Sequence, residues 1–158
     1  MKIGIIIPTR GNRGKFLENC LIIMQNQTLK PTEILVVDFP PESEEKDITK
    51  RYRIGYAEMS KRGVDLIAFI EDDDWYSPKY LETMASEWQK AGKPNLLGTS
   101  WTIYYHIFMR RWYKMTHLTR SCMMSTVIKP GLNIDWPVDE QPYTDVHIWQ
   151  KMGKNGVL

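Results

Sequence analysis

Residues 69–78 read Phe-Ile-Glu-Asp-Asp-Asp-Trp-Tyr-Ser-Pro, an apolar run that breaks off into four consecutive carboxylates. Acids crowded in this way repel one another unless a cation or a set of donors sits among them. A donor set made only of oxygens suits hard divalent ions such as Mg²⁺ or Mn²⁺. The same four residues also read as a solvated acidic turn that caps the dipole of a following helix.

Other chemistry-bearing residues stand at comparable places. Pro8-Thr9-Arg10 follows the aliphatic run Ile3 to Ile7, and Asp38 follows Thr32 to Val37. At the end of a strand, Asp38 is placed to accept hydrogen bonds from a base or ribose. Carboxylates of the cluster could hold a divalent ion across two phosphates and neutralise a leaving group. Asp145 follows Tyr143-Thr144 and opens a helical pattern near the end of the chain. There it is a candidate general base, with a plain helix N-cap as the competing reading. His106, His117 and His147 are isolated and read as packing or surface residues.

These groups need elements to carry them. Ile3 to Ile7, Thr32 to Val37 and Val64 to Ile70 have the continuous apolar character of strands buried on both faces. Between them Phe16, Leu17, Cys20, Leu21 and Met24 recur at helical spacing, as do Ile48, Tyr52, Tyr56 and Met59. Leu81, Met84, Ala85 and Trp88 stripe a third helix, for which Ser77 is the expected N-cap and Pro78 the first residue. The order β-α-β-α-β-α predicts a mostly parallel sheet with helices on both faces and a ligand crevice at the carboxyl ends of the strands. The second half predicts a hairpin of Asn95 to Tyr105 with Phe108 to Thr116. A strand over Ser121 to Ile128, a turn at Asp135-Trp136-Pro137 and a short helix bearing Val146, Trp149 and Met152 complete it.

Composition sets outer bounds. With 158 residues, 42% apolar and 25% charged, the chain is neither disordered nor a membrane bundle, and a single domain over 1–158 is expected. Cys20 and Cys122 form no metal-type spacing, Met1-Lys2 runs straight into a strand, and no apolar run approaches the roughly 20 residues that span a bilayer. A cytoplasmic setting is the resulting expectation. Gly11 and Gly14 bracket a loop that matches neither G-x-G-x-x-G nor a P-loop, which disfavours a dehydrogenase or an ordinary NTPase. Residues 33–47 are strongly acidic, whereas residues 101–120 hold Arg110, Arg111, Lys114 and Arg120, no acid, and six aromatic rings. That second stretch reads either as a stacking platform for bases or sugars or as a two-stranded ribbon with a wet face.

Four segments together resemble glycosyltransferase family 2, inverting sugar transferases of the GT-A fold. They are Ile5-Ile6-Ile7-Pro8-Thr9-Arg10-Gly11-Asn12-Arg13, Val36-Val37-Asp38, Phe69 to Asp74 with Pro78 beyond, and Thr144-Asp145 followed by Trp149 and Lys151. The resemblance implies a GT-A, Rossmann-like sheet with a short antiparallel addition, its nucleotide and metal half in 1–92 and its acceptor half in 93–158. It implies that Pro8, Thr9 and Arg10 line the nucleotide pocket, that Asp38 faces the base and that Asp72 lies near the ribose. Asp73 becomes the principal ligand of Mn²⁺ or Mg²⁺ with Asp74 beside it, and Asp145 deprotonates the acceptor. A nucleotide-diphospho-sugar is the implied donor, with a UDP-sugar first among them; the acceptor stays open among glycan, lipid carrier, protein and nucleic acid.

Three positions depart from the family pattern. Phe39 replaces a second aspartate, Glu71 lengthens the first acid of the metal motif, and Thr144 replaces a glutamate. The chain also runs only a short way past the last motif, which leaves three expectations for the acceptor side: that it is open, or covered by a homo-oligomer, or covered by a partner protein. A nucleotidyltransferase on the same fold, with Arg10 to Lys15 as its loop, and a nucleotide- or sugar-binding module without turnover are the alternatives.

Overall fold

The computed structural model describes residues 1–41, 47–139, 141, 143–153 and 156–157. Glu42, Glu44 and Glu45 of the acidic segment lie outside the described residues. The aliphatic runs form the strands the sequence predicts, with slightly different bounds: β1 Ile3–Pro8, β2 Glu33–Val37 and β3 Leu66–Phe69. The intervening helices are α1 Gly14–Gln25, α2 Ile48–Met59 and α3 Tyr80–Lys90. β1 lies between β2 and β3 and pairs with both in parallel.

The second half departs from the expected layout. Asn95 to Tyr105 is not one strand, because Leu96–Gly98 (β4) enters the main sheet while Trp101–His106 (β5) leaves it. Among the described residues β5 pairs only with Arg111–Thr116 (β6), as an antiparallel hairpin. Ser121 to Ile128 is also divided, into a 3₁₀ turn at Met123–Ser125 and a three-residue strand, β7 Thr126–Ile128. Helix α4 spans Thr144–Met152, and β8, Gly156–Val157, pairs with β4. The six-stranded sheet has the order β2-β1-β3-β7-β4-β8, and β7 runs against both of its neighbours. This is a mostly parallel α/β sheet.

Alternation of side chains along the strands divides the core. Ile3, Ile5 and Ile7 pack with Leu66, Ala68 and Ile70 under α1 and α3, through Cys20, Met24, Leu81, Met84, Ala85 and Trp88. Ile6, Ile67, Phe69 and Ile128 face α2 and α4, through Tyr52, Tyr56, Met59, Ile148 and Trp149. Helix α2 lies so close to β1 that a Cβ on Gly55 would stand 2.6 Å from Ile6 Cγ2. Only glycine allows that approach.

Two local expectations are corrected. Helix α3 begins at Tyr80, and Ser77-Pro78 forms the turn before it, with the Lys79 N–H donating to Ser77 Oγ at 3.3 Å. Phe16, placed in the apolar stripe of α1 by its spacing, is half exposed. Its ring instead carries the Arg13 guanidinium, 5.3 Å from the centroid.

Candidate active site

The carboxyl edge of the parallel strands collects most of the residues singled out by the sequence. Thr9 continues β1 by one residue, its N–H donating to the Val37 carbonyl at 3.1 Å. That fixes its hydroxyl, which donates to Oδ2 of the buried Asp72 beyond β3. Arg13, at the entrance to α1, forms ion pairs with Asp72 and Asp73. The Arg13 contact with Asp72 Oδ1 is 3.1 Å but out of line for a hydrogen bond, so that oxygen and Asp74 Oδ2 are buried without a hydrogen-bond donor.

Glu71 is explained by its reach. Its Oε1 accepts a 2.8 Å hydrogen bond from Tyr52 on α2, and its own N–H donates to Tyr76 Oη at 3.0 Å. Burial pushes the Glu71 carboxyl above its ordinary range; the Tyr52 bond and Arg13 oppose this, and the charges of Asp73 and Asp145 add to it. Asp74 is raised further, to about 7, by burial first and then by Glu71, Asp73 and Asp72. The neighbouring Cys20 thiol is pushed up to about 12 by burial and then by Asp72, Asp74 and Asp73. The cluster therefore holds more negative charge than its single arginine neutralises.

Beside it lies a cleft of about 250 Å³ lined by Pro8, Thr9, Arg10, Arg13, Asp47, Ile48 and Arg51. Arg51 is 1% exposed and donates to the carbonyls of Thr9 (2.6 Å), Val37 (3.1 Å) and Phe39 (2.8 Å). It also pairs with Asp47 at 2.7 Å and stacks 4.1 Å from the Phe39 ring centroid. Arg10 holds the other oxygen of Asp47 at 3.2 Å. Burial alone would raise Asp47, but Arg51 and then Arg10 hold its carboxyl below the usual carboxylate range. Phe39, the departure from the family pattern, is thus the surface on which the buried arginine rests. A second hollow of about 460 Å³ is lined by Phe39 with Pro40, Pro41, Lys50 and Ile54.

The remaining candidates fall into place unevenly. Asp38 stands exposed at the end of β2 and is not among the residues lining either hollow. Asp145 sits in the first turn of α4, paired with Arg120, and its charge reaches Glu71 and Tyr52. Thr144 is buried, its hydroxyl bonded to that of Thr49 on α2, so this position holds two helices together. Trp149 is core, donating to Thr126 Oγ1 at 3.1 Å, and Lys151 lies 3.7 Å from Asp135. Sequence reasoning does not single out Arg51, Asp47, Tyr52, Arg120 or the exposed Trp75 beside Asp74 as site residues. Asp47 and Arg51 carry a visible i, i+4 signal; Tyr52 looks like one more ring on an apolar face.

Among the described residues, no three His, Cys, Asp or Glu side chains already surround a common point. The donor chemistry still fits a hard divalent ion. Two buried carboxylate oxygens lack donors, and Mg²⁺ in particular is commonly held by one or two carboxylates with phosphate and water completing the shell.

No protein-family model matches the sequence, and no curated protein matches it. Comparison of the fold with solved structures defines its class. Crystal structures of S. aureus TarS, a glycosyltransferase, superpose on the whole chain with TM-scores of 0.65 and 0.67 at 16% and 14% identity. The chain spans 58% of the shorter TarS structure, residues 1–349, and 35% of the longer. The fold is therefore GT-A-like. A third structure, TarS 1–349 in complex with UDP, aligns over 61% of the chain at 20% identity with a TM-score of 0.45, below what defines a shared fold.

Proposed function

We propose that the chain transfers a sugar from a nucleotide-diphospho-sugar to an acceptor hydroxyl with inversion. One observation carries this reading. On a GT-A-like sheet, the ends of β1 and β3 bring Thr9, Arg13 and four carboxylates beside a cleft walled by Arg10, Asp47 and Arg51. Pro8, Thr9 and Arg10 line the nucleotide side, Asp72 lies near the ribose and Asp38 reaches the base from the rim. Asp73 and Asp74 would hold Mn²⁺ or Mg²⁺, which would supply positive charge for the departing diphosphate. For that, Arg13 has to release Asp73. Asp145 takes the acceptor proton as the acceptor oxygen bonds to the anomeric carbon and the bond from that carbon to the diphosphate breaks. Trp75 offers an exposed ring face beside Asp74 for the sugar. In this reading residues 1–92 serve the donor and 93–158 the acceptor.

The test is a thermal-shift screen of UDP-, GDP-, CDP- and dTDP-sugars with and without Mn²⁺, followed by release of the nucleoside diphosphate. A bound ligand raises apparent stability by about 2.7 kcal/mol at a hundred times its dissociation constant. Asp145→Asn should keep the donor shift while turnover falls by roughly 10²–10⁴. Asp74→Asn should lose the Mn²⁺-dependent part of the shift. A donor shift with no turnover from the wild type overturns the transferase reading. The pairing of Arg13 with the acids and of Arg120 with Asp145 favours, in that event, a nucleotide-binding module without turnover.

A further inference from the structure

The hairpin of β5 and β6 lies outside the main sheet, and every residue of β6 is exposed. A two-stranded ribbon is marginal in water on its own, and this one spends aromatic surface on solvent. Its register puts Trp101, Ile103, Tyr105, Trp112 and Lys114 on one face. The rings on that face are 45% (Trp101), 45% (Tyr105) and 71% (Trp112) exposed. The loop joining the strands is more apolar still: Ile107 is 75% exposed, Phe108 94% and Met109 59%. Directly behind this tip come Arg110 and Arg111, and Lys114 lies 4.6 Å over Trp101. Residues 101–116 hold three cations and no acid, whereas the rest of the chain nets −1. Charge and apolar surface are thus concentrated on one projecting element.

We propose that this hairpin docks the protein on an anionic lipid surface, with Ile107-Phe108-Met109 inserted among the acyl chains. The order of groups along the hairpin matches that of a bilayer interface. Apolar side chains are outermost, arginines stand at headgroup depth, and Trp112 and Tyr105 sit where amphipathic rings prefer to lie. A nucleic-acid ribbon would put cations at the outermost positions to meet phosphates. A two-fold pair of hairpins would gather two sets of Arg110, Arg111 and Lys114 at one interface to which the hairpin brings no acid. No helix among the described residues is long and apolar enough to cross a membrane. The inner face of the hairpin is already engaged: the hydroxyls of Thr102 and Tyr104 lie 3.5 and 3.7 Å from Cys122 Sγ. Docking of this kind requires no sugar transfer and is independent of the chemistry in the crevice.

The experiment is co-sedimentation of the full chain with phosphatidylcholine vesicles, with and without about 30% phosphatidylglycerol, at low and high salt. Binding is expected only to the anionic vesicles and is expected to weaken with salt. Phe108→Ser combined with Ile107→Ser should lower partition roughly tenfold or more, because two large apolar groups lose their burial. Arg111→Gln with Lys114→Gln should lower it by a similar factor and flatten the salt dependence. Circular dichroism of each variant checks that the fold is retained. Absence of binding to anionic vesicles overturns the proposal, as does binding that ignores the tip variant. Wild-type dimers dispersed by the tip variant, or salt-sensitive RNA binding in its place, assign the hairpin to those partners and overturn it equally.

Discussion

The acid crevice and the β5–β6 hairpin are both rich in charge and rings, yet they are held by opposite means. In the crevice Thr9, Glu71 and Arg51 draw their partners from several elements: Arg51 alone binds the ends of β1 and β2, Phe39 and Asp47. In the hairpin the contacts are mostly between the two strands, such as Tyr104 stacked on Tyr113 at 5.4 Å and Tyr105 against Trp112 at 4.7 Å. Losing one partner in the crevice strands a buried charge, whereas losing one in the hairpin exposes a ring that is already wet. The first region is built to keep a geometry and the second to present a surface.

Substitutions test this contrast, beginning with the largest effect. Arg51→Met should destabilise the fold by about 3–5 kcal/mol in urea unfolding, because it removes the guanidinium that serves Asp47 Oδ2 and the carbonyls of Thr9 and Phe39. Arg51→Lys should recover only a minor part, since an ammonium cannot span the same acceptors. Asp47→Asn should remove about 2 kcal/mol at neutral pH, the worth of charge-assisted hydrogen bonds. Asp47 is held below its ordinary value of 3.8, so it contributes stability above that value and loses it as pH falls through the folded-state value. The gap between wild type and Asp47→Asn should therefore be full at neutral pH and close in the acid range below it.

Effects in the hairpin should be smaller and local. A double-mutant cycle of Tyr105→Ala and Trp112→Ala should give a coupling of about 1 kcal/mol, read as faster proteolytic nicking of the hairpin with little change in global unfolding. Phe108→Ser should change unfolding by less than about 0.5 kcal/mol, as expected for a side chain 94% exposed. A large loss of stability from Phe108→Ser, or a negligible one from Arg51→Met, would invert the contrast.

The parts of the molecule visible in the sequence are those whose cause is local. The runs Ile3–Ile7 and Val64–Ile70 announce buried strands because each is dominated by apolar residues, and the stripes of α2 and α3 follow from helical period. β4 and β7 are only three residues long, and what makes them strands is pairing with each other and, for β7, with Ile67 and Ala68. No local pattern encodes such a partner, so spacing alone puts Leu96 in the hairpin and Ser121 in a strand. The crevice divides in the same way. Its acids and Thr9 are legible as strand-end residues, but the Arg13 pairs with Asp72 and Asp73 join residues far apart in sequence and arise from the sheet order. Thr144 looks like a defect at an acceptor position because its partner, Thr49, lies 95 residues away.

The reversed direction of β7 has a mechanical consequence. Because this strand runs against β3, the chain leading into it arrives at the edge where the acids lie, and it arrives directly from the hairpin. His117, Leu118 and Thr119 alone separate β6 from Arg120, the cation that holds Asp145. The hairpin is therefore a short crank on the helix that carries the candidate base. If it is anchored, the whole crevice acquires a fixed azimuth relative to the anchoring plane.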